Sequence, residues 1–118
     1  MATHWTLGCD ANDPHRVAGF WALALGYVAE PGYDDPDGAS IVDPDGRGPA
    51  IGFLRVPEGK TAKNRMHLDL GCDDRRAEVA RLVALGATHL GDHDEFGISW
   101  SVLTDPEGNE FCIADPHP

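Results

Sequence analysis

The chain has 118 residues, 42% of them hydrophobic, and sets 20 Asp and Glu against nine Lys and Arg for a formal charge of −11. A single domain of that size buries roughly two-thirds of its unfolded surface and holds a core without disulfides. So acidic a chain lacks the basic footprint that nucleic acid or an anionic membrane requires of a partner. Residues 1–10 carry no basic stretch followed by an apolar core, and no apolar run approaches the ~20 residues that span a bilayer. Cys9, Cys72 and Cys112 are an odd set without CxxC spacing, so neither a disulfide framework nor a zinc knuckle is expected. A reducing cytoplasm is the expected compartment.

Thr3 to Cys9 reads as a β-strand. Asp13 is a good N-cap with Pro14 at the first helical position, and Val17, Phe20, Trp21 and Ala24 then fall on one helical face. Gly26 supplies the left-handed stop, so the spacing predicts a helix over 14–25. Asp34 to Gly38 reads as a turn, Ser40 to Val42 and Ile51 to Val56 as short strands, and Pro57-Glu58-Gly59-Lys60 as a linker. Met66 to Leu70 reads as the next strand, with Asp73 or Asp74 as the cap of a second helix over 75–85 that carries Val79, Leu82 and Val83. His89, Asp92, His93 and Asp94 resemble a metal cluster on paper, but they read as an acidic, glycine-containing, solvent-exposed turn. Ser99 to Leu103 and Phe111 to Ala114 close the chain as strands.

This order repeats. Leu7-Gly8-Cys9-Asp10 returns as Leu70-Gly71-Cys72-Asp73, Ala24-Leu25-Gly26 as Ala84-Leu85-Gly86, and Asp43-Pro44-Asp45-Gly46 as Asp105-Pro106-Glu107-Gly108. Turn dipeptides recur for local reasons, but three matches in one order at nearly constant offset point to duplication. The expected organisation is one domain over 1–118, with module one at about 1–58, a linker at about 59–62 and module two at about 63–118.

Alternate residues of a strand point to opposite faces. Met66, Leu68 and Leu70 thus alternate with Arg65, His67 and Asp69, and in weaker form Trp5 and Leu7 alternate with His4 and Thr6. Phe111 and Ile113 alternate with Glu110 and Cys112. The apolar faces would take the helices. The polar faces either line a shared cavity or are simply wet, as in many antiparallel sheets.

The residues Asp13-Pro14, Phe20-Trp21, Leu25-Gly26-Tyr27, Asn64 to Leu70, Leu85-Gly86-Ala87, Trp100 and Asp105 to Cys112 together resemble the glyoxalase/bleomycin-resistance/dioxygenase superfamily, the vicinal oxygen chelate group. The likeness is to its small bacterial glyoxalase-like branch and runs over essentially the whole chain. It implies an α+β fold of two βαβββ modules, an eight-stranded curved mixed sheet with two outer helices, a small-molecule ligand in the cup between modules, and commonly a homodimer. In metal-dependent members, four inward strand residues chelate a divalent metal that polarises two substrate oxygens. By the resemblance, those positions fall near Thr6, near Leu54, at His67 and at Cys112. Only His67 is a usual ligand there, and Cys112 stands where a Glu is usual, so the usual four-ligand metal site is not expected.

The candidate residues each carry two readings. His67 is a cavity residue or a structural, hydrogen-bonded one. Asp69 orients His67 or pairs with Arg65. Glu110 substitutes as ligand or general base, or is a solvated rim charge. Cys112 is a nucleophile or a small buried residue. Trp100 and Phe53 line the cavity or belong to the core. Lys60, Lys63 and Arg65 attract an anionic ligand or solubilise the linker. Two functions follow. The first is a ligand-binding protein without the usual metal site, its ligand touching Thr6, Leu54, Arg65, His67, Asp69, Trp100, Glu110 and Cys112. The second is a lyase, isomerase or dioxygenase type of enzyme, metal-dependent or assisted by His67 and Glu110.

Overall fold

A computed structural model describes residues 3–116; the outermost residues of the 1–118 domain expected from the sequence lie outside the described ones. The chain divides into two compact units, 1–59 and 60–118, and each is an α+β module of one helix on a four-stranded mixed sheet.

The first module runs β1 (Leu7–Ala11), α1 (Pro14–Leu25), β2 (Val28–Ala29), β3 (Gly38–Val42) and β4 (Ile51–Arg55), with sheet order β1-β4-β3-β2. The helix forms where its signals lie. Asp13 accepts from the Arg16 N–H at 3.3 Å, Pro14 occupies the first turn, and Gly26 closes the end at φ 73°. Val17, Phe20 and Trp21 are buried on its inner stripe and share a core with Ala11, Ile41, Ile51 and Phe53. Phe53 is therefore core, the second of its two readings.

The second module runs β5 (Asp69–Gly71), α2 (Arg75–Leu85), β6 (Thr88–Glu95), β7 (Ile98–Thr104) and β8 (Glu110–Ala114), with order β5-β8-β7-β6. Asp74 is the cap, accepting from the Ala77 N–H at 3.1 Å. Leu82, Leu103, Phe111 and Ile113 are its fully buried apolar residues.

The two modules repeat each other element by element. In each module the first strand pairs in parallel with the last, β1 with β4 and β5 with β8. The Asp43 carboxylate accepts from the backbone N–H of Asp45 and Gly48, each at 2.9 Å, while that of Asp105 accepts from Glu107 and Asn109, each at 2.9 Å. Both turns then place a glycine, Gly46 and Gly108, in the left-handed region. The Asp turns occupy equivalent positions, but the two Leu-Gly-Cys-Asp segments do not, because Leu7 lies six residues ahead of the cap Asp13 and Leu70 four residues ahead of the cap Asp74.

Three expectations need correction. The opening strand begins at Leu7, not Thr3, because its first ladder bond is from Leu7 N–H to Ala50 O at 3.0 Å, next to Pro49, which has no N–H to offer. Trp5 is accordingly exposed rather than on an apolar face. Likewise β5 begins at Asp69, not Met66: the ladder reaches back only to Leu68 O, which accepts from Cys112 N–H. Met66 is 87% exposed. The third correction is the turn expected around His89 to Asp94, which is instead the eight-residue strand β6. As the outer strand beside β7 it buries neither face and carries a bulge between His89 and Gly91, so no alternation marks it. The two-residue strand β2 carried no sequence signal either.

Candidate functional site

The second module's sheet has one face turned to its core and one polar face. Phe111 and Ile113 of β8 are buried, so Glu110, Cys112 and Ala114 occupy the opposite face. Opposite them in register stand Thr104, Val102 and Trp100 of β7, and Asp69 of β5 lies directly beside Cys112. Trp100 faces His93 of β6, their rings stacked with centroids 5.2 Å apart. The sequence reading missed this partner because it placed His93 in a turn.

On that face His67, Asp69 and Cys112 bring one donor atom each within 4.8 Å of one another. His67 Nδ1 lies 2.8 Å from Asp69 Oδ1. A carboxylate only accepts, so Nδ1 carries a proton. Of the two readings of Asp69, the pairing with His67 is the one formed, and Arg65 lies exposed in the bend ahead of β5. Burial pushes the Cys112 thiol up, the Asp69 charge pushes it further, and Lys63 opposes them. Both His67 and Cys112 therefore lean on one carboxylate. That is not a thiol–imidazole relay, in which the imidazole stands between the other two.

Glu110 shares the face but is differently engaged. Lys60 Nζ lies 2.9 Å from its Oε1, and the Asn64 N–H donates to the same oxygen at 2.9 Å. Chiefly through the Lys60 bond, its carboxyl is lowered from 4.5 to about 2. A group held that far down is a weak proton acceptor near neutrality. Its bonds anchor the segment that leads into His67.

Thr6 and Leu54 belong to the first module, where Thr6 is exposed just ahead of β1 and Leu54 is 58% exposed on β4. Elsewhere in the second module, a cavity of about 530 Å³ is lined by Arg75, His89, Asp92, Ser101 and Asp115, among others. Arg75 donates to Asp115 at 2.9 Å and to Ser101 Oγ at 2.7 Å, and buried Ser101 donates to Asp92 at 2.6 Å. His89 meets the same Asp92 oxygen at 2.9 Å. This network escaped sequence reading because its members lie up to 40 residues apart.

The residues present do not fit the four-ligand metal implied by the resemblance. Leu54 has no donor atom, Thr6 offers a neutral hydroxyl, and the Glu usual at the last position is Cys112.

Comparison with known proteins gives the family. The chain resembles a glyoxalase/bleomycin resistance protein/dioxygenase family enzyme from Burkholderia phytofirmans PsJN, at 19% identity over 93% of this chain and 95% of that one, with a TM-score of 0.74. It also resembles the fosfomycin resistance protein FosX from Listeria monocytogenes, solved with Mn(II) and 1S,2S-dihydroxypropylphosphonic acid, at 10% identity over 99% and 93% with a TM-score of 0.77. A third likeness is to TioX from Micromonospora sp. ML1, at 17% identity over 97% and 98% with a TM-score of 0.61. At these identities the likenesses show the fold. No match was found among curated proteins. The glyoxalase-like domain family matches residues 6–114, nearly the whole chain, and with two βαβββ modules formed as that family requires, the chain belongs to it.

Proposed function

We propose that this chain is a small-molecule-binding protein of the glyoxalase/bleomycin-resistance/dioxygenase superfamily, its ligand held on the polar face of the second module's sheet. The observation that carries the reading is the convergence of His67, Asp69 and Cys112 on that face, beside the stacked pair Trp100 and His93. Such a face offers an aromatic platform with convergent polar groups, the usual make-up of a small-molecule site. Some structural neighbours are fosfomycin resistance proteins, which suits a chain that takes a small molecule. Glu110, tied to Lys60, serves as the rim that holds the segment carrying Arg65 and His67. Three free cysteines accord with a reducing compartment such as the cytoplasm.

A second reading is an enzyme of lyase, isomerase or dioxygenase type that uses His67. The hydrogen bond from Nδ1 to Asp69 favours it, because in the neutral imidazole it leaves Nε2 as the basic nitrogen. A thermal-shift screen of small molecules, run with chelator and with divalent metals, tests both. A ligand that binds only the native chain at 100 times its Kd adds about 2.7 kcal/mol of stability. The expected result is a ligand whose shift falls in His67→Ala and Trp100→Ala while Arg81→Ala, on the far helix, leaves it unchanged. Ligands that shift all three variants alike would refute the placement. Turnover of the same ligand, lost in His67→Ala, would move the reading to the enzyme.

A further inference from the structure

The ligand set implied by the family fails at Leu54 and Thr6, yet the second module assembles a different set from its own residues. Asp69 and Cys112 are direct partners in the parallel ladder of β5 and β8, so their side chains rise side by side from one face. His67 enters two residues ahead and turns back onto Asp69 at 2.8 Å. One nitrogen, one oxygen and one sulfur donor thus lie within 4.8 Å.

We propose that His67, Asp69 and Cys112 form a three-ligand site for a soft divalent cation of the zinc class, with a fourth coordination position left open to water or a small molecule. The donor types decide the class of ion. A thiolate with an imidazole and one carboxylate suits zinc or cobalt, whereas magnesium and manganese prefer an all-oxygen shell. Bond lengths of about 2.0–2.3 Å require donors about 3.3–3.8 Å apart in a tetrahedron, so this set closes by a shift of about 1 Å. His67 and Asp69, with side chains 37% and 66% exposed, have room to make it.

Proton and charge balance follow from the same geometry. Two protons sit beside Asp69, one on His67 Nδ1 at 2.8 Å and one on the Cys112 thiol, whose pKa burial and the Asp69 charge push up. The cation takes their place. Cys112 gives its proton to solvent, and His67 carries its own on Nε2 instead of Nδ1. Two negative ligands and one neutral ligand then balance a charge of two. A chain of formal charge −11 also draws cations toward it. The inference rests on the reading that this polar face is the binding face, but it is tested without any organic ligand.

Full-length protein is freed of metal with chelator and titrated with Co²⁺, then with Zn²⁺ as competitor. The expected result is one Co²⁺ per chain with a sulfur-to-cobalt charge-transfer band, displaced by Zn²⁺. Cys112→Ser abolishes the band, and His67→Ala and Asp69→Asn weaken binding by at least about tenfold. Cys9→Ser and Cys72→Ser leave it unchanged. Circular dichroism checks that each variant is folded. A second measurement needs no variant: Zn²⁺ protects Cys112 from iodoacetamide, read by mass spectrometry, and leaves Cys9 and Cys72 labelled as before. The proposal is overturned by the absence of a cobalt band in the folded chain, by a band that survives Cys112→Ser, by equal protection of all three thiols, or by Mn²⁺ binding more tightly than Zn²⁺. Metal binding without any ligand shift in the thermal screen upholds this site and refutes the ligand reading. A ligand shift in chelator with no metal uptake does the reverse.

Discussion

Glu110 shows how one side chain sets the local chemistry of the sheet's polar face. Its free carboxyl value of 4.5 falls to about 2 in the folded chain, first through the Lys60 bond and also through the Asn64 N–H. A depressed carboxyl stabilises the folded state fully above its unfolded value, and the contribution disappears as pH falls through the folded one. Stability should therefore decline between about pH 4.5 and about pH 2, with Glu110 among its causes. Glu110→Gln keeps the shape and removes the charge. It should cost about 1–2 kcal/mol at pH 7, the worth of a charged hydrogen bond reduced by solvent at a rim. Denaturant titrations of both proteins across that range measure the effect, and their stabilities should converge below about pH 2. Curves that stay parallel down to that pH would show that Lys60 does not hold Glu110 in solution.

At the scale of elements, the two Asp turns allow a matched comparison. Asp105 is 4% exposed and its carboxylate accepts from Glu107 N–H, Asn109 N–H and the Asn109 side chain. Asp43 makes the same turn nearer the solvent, with its carboxyl lowered mainly by the Asp45 and Gly48 N–H groups. Asp105→Ala leaves buried donors unpaired and should cost about 2–3 kcal/mol, while Asp43→Ala should cost less, by chemical denaturation. The hairpin between β6 and β7 offers a gain instead. Glu95 pairs with Ile98 across Phe96 and Gly97, both at positive φ, as a type I′ turn requires. Phe96 is 93% exposed, so it packs little and bears the left-handed strain of about 1 kcal/mol. Phe96→Asn should raise stability by about 0.5–1 kcal/mol, and a loss would mean that the ring packs in solution.

These elements also show what was legible in the sequence. Both helices were readable to the residue because caps, proline and glycine are local signals, and the turns were readable because Asp and Gly act on their own backbone. Strand β6 was not. Its exposed residues carry no alternation, and its partner β7 alone defines it. The starts of β1 and β5 were misjudged for a related reason, since a ladder begins where its partner begins. At the site, His67, Asp69 and Cys112 were each visible as candidates, but the meeting of Asp69 with Cys112 comes from a parallel register across 43 residues, which no local pattern encodes. The Arg75 network lay hidden for the same reason.

At the scale of the whole molecule, charge and apolar exposure oppose each other, and the balance predicts the assembly. The formal charge of −11 repels a second copy. Physiological salt screens that repulsion beyond about 8 Å. Against it stand Trp5 at 63% exposure, Leu54 at 58%, Met66 at 87% and Phe96 at 93%, large side chains that a monomer leaves wet. Edge-to-edge strand pairing through β2 or β6 is an unfavourable route. Strand β2 has only two residues, and β6 carries Asp92, Asp94 and Glu95, which blunt an edge. Association should therefore run through apolar side chains in a self-complementary two-fold contact, the commonest form for such a surface. A standard interface removes about 1,600 Å² from water, and at about 25 cal/mol per Å² its apolar part outweighs screened repulsion between distributed charges. Light scattering coupled to size exclusion should give twice the chain mass of 12.7 kDa. The dimer should weaken in Met66→Asp or Trp5→Asp, whichever residue lies in the contact, and tighten as salt is raised. A mass of one chain that persists at high protein concentration and high salt would refute the dimer.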